Sequence, residues 1–367
     1  MHIVLHIMDY AAPYKGNFIP SVLNLEEHLN LSGSRMILMF PLTAQKVDWV
    51  VELHRDRKAI YFIDNSFFSK RVRFANIKKL KEIIIKENVN IIHTHFVAYN
   101  FTLALMKSCF IPKVKIVGNF MNEFLPPLNI YNKFKVFITK ITFDKIIASS
   151  EGVKKSVLNA GINTKKVITI YNALDIKHLQ TYDLLNLKDN DGQKIILMFG
   201  WTFHRKGVDI AIRAIRELIE EKKNLRLVIA MAGGQEIIKN EIMKLLGNLP
   251  VWITLLGPEQ NVATYYNSSD IFLSSSREEG FTYSVLEASY CNAMIIVSEI
   301  EGHPLDIPFT GKFASGKIVE LKEAIRGMLK KTLEERRVIK EAQKKYVIRK
   351  YDINKWSEDV INVYSTI

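Results

Sequence analysis

A chain of 367 residues, 48% of them hydrophobic, is long enough to bury two cores of ordinary domain size. Its two cysteines, Cys109 and Cys291, give no disulfide framework and no cysteine-rich metal site, and no apolar run approaches the ~20 residues of a membrane span. The net charge of +13 is uneven: residues 1–175 carry 24 Lys+Arg against 13 Asp+Glu (+11) and residues 176–367 carry 27 against 25 (+2), so the first half attracts nucleic acid, anionic lipid or phosphorylated substrates.

Met1-His-Ile-Val-Leu-His-Ile7 lacks the basic start of a signal peptide and reads as a buried strand, so a cytoplasmic protein is expected. A loop bearing Gly16 follows, then a helix over about 19–30. Strand, glycine-bearing loop and helix form a phosphate-binding arrangement when the glycine faces the ligand. Strands at 36–40 and 59–63 alternate with helical segments, as in a parallel sheet covered on both faces. Lys70 to Lys86 holds seven basic residues and one acid, with Phe74, Ile77, Leu80 and Ile84 at helical spacing. That pattern fits an amphipathic helix with a solvated basic face, which is also a face that suits anionic lipid headgroups. Lys133, Lys135, Lys140 and Lys145 continue the basic character.

The strand 89–95 ends in His93 and His95, which share one face because side chains alternate. His95 stands at the carboxyl end of the strand, where open α/β sheets bind ligands. No third metal ligand suggests itself beside the pair. The strand 114–120 exits through Met121 and Asn122. The polar segment 180–193 reads as a linker. A second α/β domain then begins with Lys194-Ile-Ile-Leu-Met-Phe-Gly-Trp-Thr-Phe-His-Arg-Lys-Gly-Val-Asp209, where Arg205 and Lys206 put two cations beside Gly207. His303, in Glu301-Gly-His-Pro304, reads as a loop residue.

The second half is organised by Ser274-Ser-Ser-Arg-Glu-Glu-Gly-Phe-Thr-Tyr-Ser-Val-Leu-Glu287. A buried strand ends, the chain turns through Gly280, and a helix begins at about Thr282. Unpaired N–H groups and the helix dipole favour an anion there. Glu279 precedes the turn, and Glu287 sits on an apolar helical segment where a carboxylate needs hydrogen-bond donors such as sugar or ribose hydroxyls.

Glu, seven residues, Glu, with Gly-Phe after the first, resembles the signature of family-4 retaining glycosyltransferases of GT-B fold. The resemblance covers nearly the whole chain; it is specific over 194–300 and weak before 90. It implies two Rossmann-like doubly wound parallel-sheet domains facing a cleft. The boundaries expected are 1–179 for the acceptor-binding domain, 180–193 for the linker, 194–349 for the nucleotide-sugar-binding domain, and 350–367 for a helix packing back on the first. In such enzymes Glu279 faces the donor sugar and Glu287 the ribose. The Gly280-Phe281-Thr282 backbone meets the diphosphate, Arg205 and Lys206 clamp it, and Gly16 lies near it. Glu279, Arg205 and Lys206 are thus the expected catalytic residues, with His95 and Asn122 on the acceptor side. Many relatives carry a histidine near Met121 and an arginine at Trp201, and Arg205 is expected to supply that charge.

The resemblance further implies sugar transfer with retention from a UDP- or GDP-linked donor, with protein cations and no metal or cofactor. The acceptor expected is a lipid-linked glycan of bacterial cell-surface polysaccharide synthesis. The protein would then be peripheral on the inner face of the cell membrane, bound to its anionic surface. Two rivals stand beside it: an inactive glycosyltransferase-like partner of another enzyme, and a nucleic-acid-binding protein. The second lacks an aromatic-interleaved basic platform or a zinc module, so no nucleic acid is expected.

Overall fold

The computed structural model describes every residue except 57–58, 69–71, 97–99, 123–128, 191, 259–260 and 292. The strands are β1 (Ile3–Met8), β2 (Arg35–Pro41), β3 (Ile60–Ile63), β4 (Ile91–His95), β5 (Lys115–Phe120), β6 (Lys145–Ala148), β7 (Val167–Thr169), β8 (Lys194–Phe199), β9 (Leu225–Ala230), β10 (Ile253–Leu256), β11 (Ile271–Ser274), β12 (Met294–Glu299) and β13 (Gly311–Ala314). The helices are α1 (Phe18–Leu31), α2 (Asp48–Asp56), α3 (Phe74–Glu87), α4 (Phe101–Cys109), α5 (Ile130–Thr142), α6 (Glu151–Asn159), α7 (Val208–Glu220), α8 (Gln235–Leu246), α9 (Ala263–Asn267), α10 (Tyr283–Tyr290), α11 (Ile318–Leu329), α12 (Leu333–Lys350) and α13 (Ile353–Ser365).

These elements form two compact units, Met1–Ala173 with Ile353–Ile367, and Leu174–Asp352. The first holds a seven-stranded sheet in the order β3-β2-β1-β4-β5-β6-β7, the second a six-stranded sheet in the order β10-β9-β8-β11-β12-β13. All pairings are parallel. The strands are near-continuous apolar runs because helices cover both faces of each sheet. In the first unit α3, α4, α5 and α6 pack one face through Leu80, Leu103, Val136 and Val153. The other face meets α1 and α13 through Leu25, Trp356, Val360 and Tyr364. Ser357 Oγ donates to Asn24 Oδ1 at 2.7 Å between those two helices. In the second unit α7, α8 and α11 cover one face, and α9, α10 and α12 the other.

In both sheets the winding direction reverses at one place, between β1 and β4 in the first and between β8 and β11 in the second. The carboxyl ends of the strands flanking such a reversal open a crevice that α/β proteins use for ligands.

Three sequence expectations change. The division between units falls after Ala173 rather than after 179. The segment 180–193 belongs to the second unit, where Leu187 is buried in a core that also holds Leu174 and Leu179. Phe74, expected on the apolar face of its helix, is 85% exposed because it is the first residue of α3 and precedes the turn that reaches the sheet. Lys70 and Arg71 of that basic segment lie outside the described residues.

Candidate active site

The loops after β8, β11 and β12 meet at the reversal point of the second sheet. Gly207 ends the first loop with φ +65°, and a Cβ there would stand 1.9 Å from the Ser275 carbonyl oxygen, so only glycine lets the two loops touch. Ser275 Oγ donates to the Gly207 carbonyl at 2.9 Å. Arg277 N–H donates to the Arg205 carbonyl at 2.8 Å, and the Arg277 guanidinium grips Asp209 through two bonds of 2.8 and 2.7 Å. The β8 and β11 loops are thus stitched together before any ligand arrives.

That stitching brings the predicted charges together. Lys206 Nζ donates to Glu279 Oε1 at 2.5 Å, and both side chains are buried. Arg205 stands 3.7 Å from Glu279 Oε2 and is 40% exposed. Ser276 Oγ donates to Glu279 Oε1 at 2.8 Å. Burial holds the Lys206 ammonium below its usual pKa, against the pull of Glu279. Trp201, exposed and standing where relatives carry arginine, lays its ring 4.1 Å from Lys206 Nζ.

The anion-favouring helix start is also in place. Thr282 is the N-cap of α10, yet its hydroxyl donates to the Gly302 carbonyl at 3.2 Å and makes no cap bond. The backbone of Gly280, Phe281 and Thr282 therefore leads from Glu279 into the positive end of α10. One turn into the helix, Glu287 is buried and accepts from Tyr266 Oη at 2.6 Å. His178 Nε2 lies 3.9 Å from its other oxygen, and Asp175 lies 3.7 Å from His178 Nδ1.

Sequence reasoning missed several supports. His303, read as a loop residue, is buried. Its Nε2 bonds Ser274 Oγ at 2.9 Å and its Nδ1 the Ser298 carbonyl at 2.7 Å, and burial pushes its pKa down to about 4. Gly302 admits no side chain, since a Cβ would meet the Glu279 carbonyl oxygen at 1.9 Å. Both follow β12, the strand paired with β11, so the strand order held the signal. Tyr266 and His178 announce themselves by no local pattern.

Gly16, His95 and Asn122 belong to the first unit. Gly16 has φ +56° in the turn before α1, beside Tyr10, whose hydroxyl donates to the Tyr14 carbonyl at 2.9 Å. Phe18 packs on His95 and Phe96, joining that turn to the end of β4. Asn122 is exposed beside half-buried Met121. His95, expected to face an acceptor, is instead wholly buried with both ring nitrogens engaged. Nε2 meets His6 Nδ1 at 2.9 Å and Nδ1 meets Asn119 Nδ2 at 3.4 Å. His93 Nδ1 meets Tyr364 Oη at 2.6 Å, which also reaches His6 Nε2 at 3.3 Å. Burial holds all three imidazoles well below the ordinary pKa, His6 at about 3, so they are neutral. His6 is the third imidazole that the sequence reading lacked; it pairs with His93 across β1 and β4. The cluster is a buried strut between sheet and α13.

The chain's only Asp-x-Asp spacing, Asp189 with Asp191, escaped the sequence reading, which found none. It precedes β8 at the amino edge of the sheet, opposite the site, where Asp189 pairs with Arg226. Asp191 lies outside the described residues.

Two family models match the chain, Glycosyltransferase Family 4 over residues 21–178 and Glycosyl transferases group 1 over 186–358. A curated relative from Campylobacter jejuni, N-acetylgalactosamine-N,N'-diacetylbacillosaminyl-diphospho-undecaprenol 4-alpha-N-acetylgalactosaminyltransferase, is 28% identical over 203 residues, 54% of this chain and 52% of the relative. A phosphatidylinositol N-acetylglucosaminyltransferase of Arabidopsis thaliana is 22% identical over 314 residues, 83% of this chain and 69% of the relative. The chain spans about half the length of the first of these. Among solved structures, a glycosyltransferase from Rickettsia africae superposes with TM-score 0.80 at 21% identity, over 100% of this chain and 98% of that one. HepE of Anabaena in complex with UDP gives 0.76 at 14% identity over 100% of both chains. With two doubly wound parallel sheets, the GT-B likeness and both family models, the chain belongs to the family-4 glycosyltransferases.

Proposed function

We propose that the protein transfers a sugar, with retention, from a nucleotide diphosphate sugar to a lipid-linked glycan in bacterial cell-surface polysaccharide synthesis. The observation that carries this reading is the convergence of Arg205, Lys206, Glu279 and the start of α10 at one sheet reversal. As the glycosidic bond breaks, negative charge grows on the diphosphate. Cations and amides already aimed at it lower the barrier without reorganising. Arg205 and Lys206 supply that charge in place of a metal. Glu279 orients the donor sugar, and its pairing with Lys206 holds the ammonium in place until the diphosphate arrives. Glu287, held by Tyr266, takes the ribose hydroxyls.

The relatives' printed acceptors, a diphospho-undecaprenol and a phosphatidylinositol, support a lipid-linked acceptor here. The UDP bound in HepE supports a uridine donor, with GDP the other candidate. A place on the inner membrane face suits such an acceptor and the basic first half. The second reading, an inactive partner of another enzyme, is favoured only by the engaged ring nitrogens of His95.

A panel of nucleotide sugars tests the proposal by mass spectrometry of the released nucleotide and by calorimetric binding. Slow hydrolysis of one donor is expected, rising when lipid-linked acceptor is added. A folded protein that binds no donor overturns it in favour of the inactive partner.

A further inference from the structure

Helix α5 carries two apolar faces. Val136, Ile138, Thr139 and Thr142 are buried beneath it. Ile130, Phe134, Phe137 and Ile141 form a second stripe, and all four are exposed, Ile130 by 82% and Phe137 by 54%. Their 4-3-4 spacing sets them within an arc of about 60°. Phe101 of α4 stacks on Phe134 at 5.5 Å, and exposed Leu105 adds to the apolar surface of α4. An apolar stripe left open on one helix marks an interaction surface.

Its surroundings indicate the partner. Between residues 96 and 143 the sequence has six lysines and a single acid, Glu123, and neither α4 nor α5 contains a carboxylate. Lys133 and Lys140 flank the stripe on one side. Together with Val136, Phe137 and Ala160 they line a hollow of about 260 Å³. Two amines over an apolar floor match an anionic amphiphile, with its phosphate between the ammonium groups and its hydrocarbon against Phe137.

We propose that α5 is the face by which this chain docks on an anionic bilayer, with the stripe entering the interfacial zone and Lys133 and Lys140 holding a lipid phosphate. This replaces the α3 basic face expected from the sequence with a surface carrying both terms, apolar insertion and charge. It rests on the lipid-linked acceptor reading, for which it supplies the approach to the membrane.

Vesicle co-sedimentation tests it, with phosphatidylcholine alone and mixed with phosphatidylglycerol. Binding to the mixed vesicles is expected, weaker in high salt. Lys133→Gln/Lys140→Gln should weaken it about thirtyfold, and Phe134→Ser/Phe137→Ser should abolish it. Both variants change exposed side chains and should keep the wild-type melting temperature and nucleotide-sugar binding. Equal binding to neutral vesicles, undiminished binding by both variants, or a concentration-dependent dimer lost in the phenylalanine variant without vesicle binding overturns the proposal. Transfer to a water-soluble acceptor without vesicle binding sinks the docking face and leaves the enzyme reading intact. Vesicle binding without any donor bound does the reverse.

Discussion

Glu279→Gln removes the carboxylate from a buried pair while preserving its shape. Lys206 is left with Trp201 as its remaining contact of favourable charge and with almost no solvent. Losing one partner of a buried ion pair costs about 3–5 kcal/mol. Lys206 limits that loss by releasing its proton, so about 2–4 kcal/mol near neutral pH is the expected deficit. Its pH dependence is the sharper test. Burial already lowers the Lys206 pKa, and Glu279 is the group that raises it. Without Glu279 the native protein sheds that proton still earlier, while the unfolded chain holds it up to 10.5. Between those values the unfolded state binds more protons, so stability rises with pH. The deficit against wild type should therefore be largest at and below neutral pH and shrink toward 10.5. Urea unfolding followed by tryptophan fluorescence measures it. The double variant Lys206→Met/Glu279→Gln should recover most of the loss, because no buried charge remains. A deficit flat from neutral to alkaline pH, or a double variant no better than the single one, would refute the account of Lys206 as a desolvated cation held by Glu279.

Other outcomes follow from the same loops. Gly302→Ala drives a methyl into the Glu279 backbone; a loss of about 1–3 kcal/mol with loss of donor binding is expected from thermal melting and calorimetry. Tyr266→Phe removes the donor to Glu287 and should lower stability by about 1.5–3 kcal/mol, with weaker nucleotide binding in titration. His6 and His303 are buried neutral, with pKa values near 3 and 4 against 6.5 unfolded. The stability they confer is complete above 6.5 and is lost as pH falls through those native values. His303→Gln should remove a share of that acid sensitivity on the order of 3 kcal/mol, read by urea midpoints at successively lower pH.

The sequence made some of this legible and hid the rest for physical reasons. Apolar runs bounded by glycine located β8 and β11, and local spacing located Lys206, Glu279 and Glu287, because each lies within a few residues of a strand end. Gly302, His303, Tyr266 and His178 reach the site from other elements, and only the order of strands makes them neighbours. His95 illustrates the opposite error. Its position at a strand end suggested a ligand-facing group, while His6 and Tyr364, remote in sequence, had already taken its surroundings. The unit boundary was misplaced because polar composition marks surface, and 180–193 is surface that lies on a core through Leu187. Helix α5 was read only for its lysines; its exposed phenylalanines had no visible meaning until the buried face was known.

The first unit is built from two separated pieces of chain, with the last helix supplied only after the whole second unit has been made. A nascent polypeptide leaving the ribosome thus finishes its second sheet while the first still lacks Trp356, Val360 and Tyr364 on one side. During that interval the neutral imidazoles of β1 and β4 face water, and a stop codon before Ile353 would strand them there. Late damage to a few C-terminal codons should consequently unsettle the amino-terminal half, leaving the middle of the protein folded.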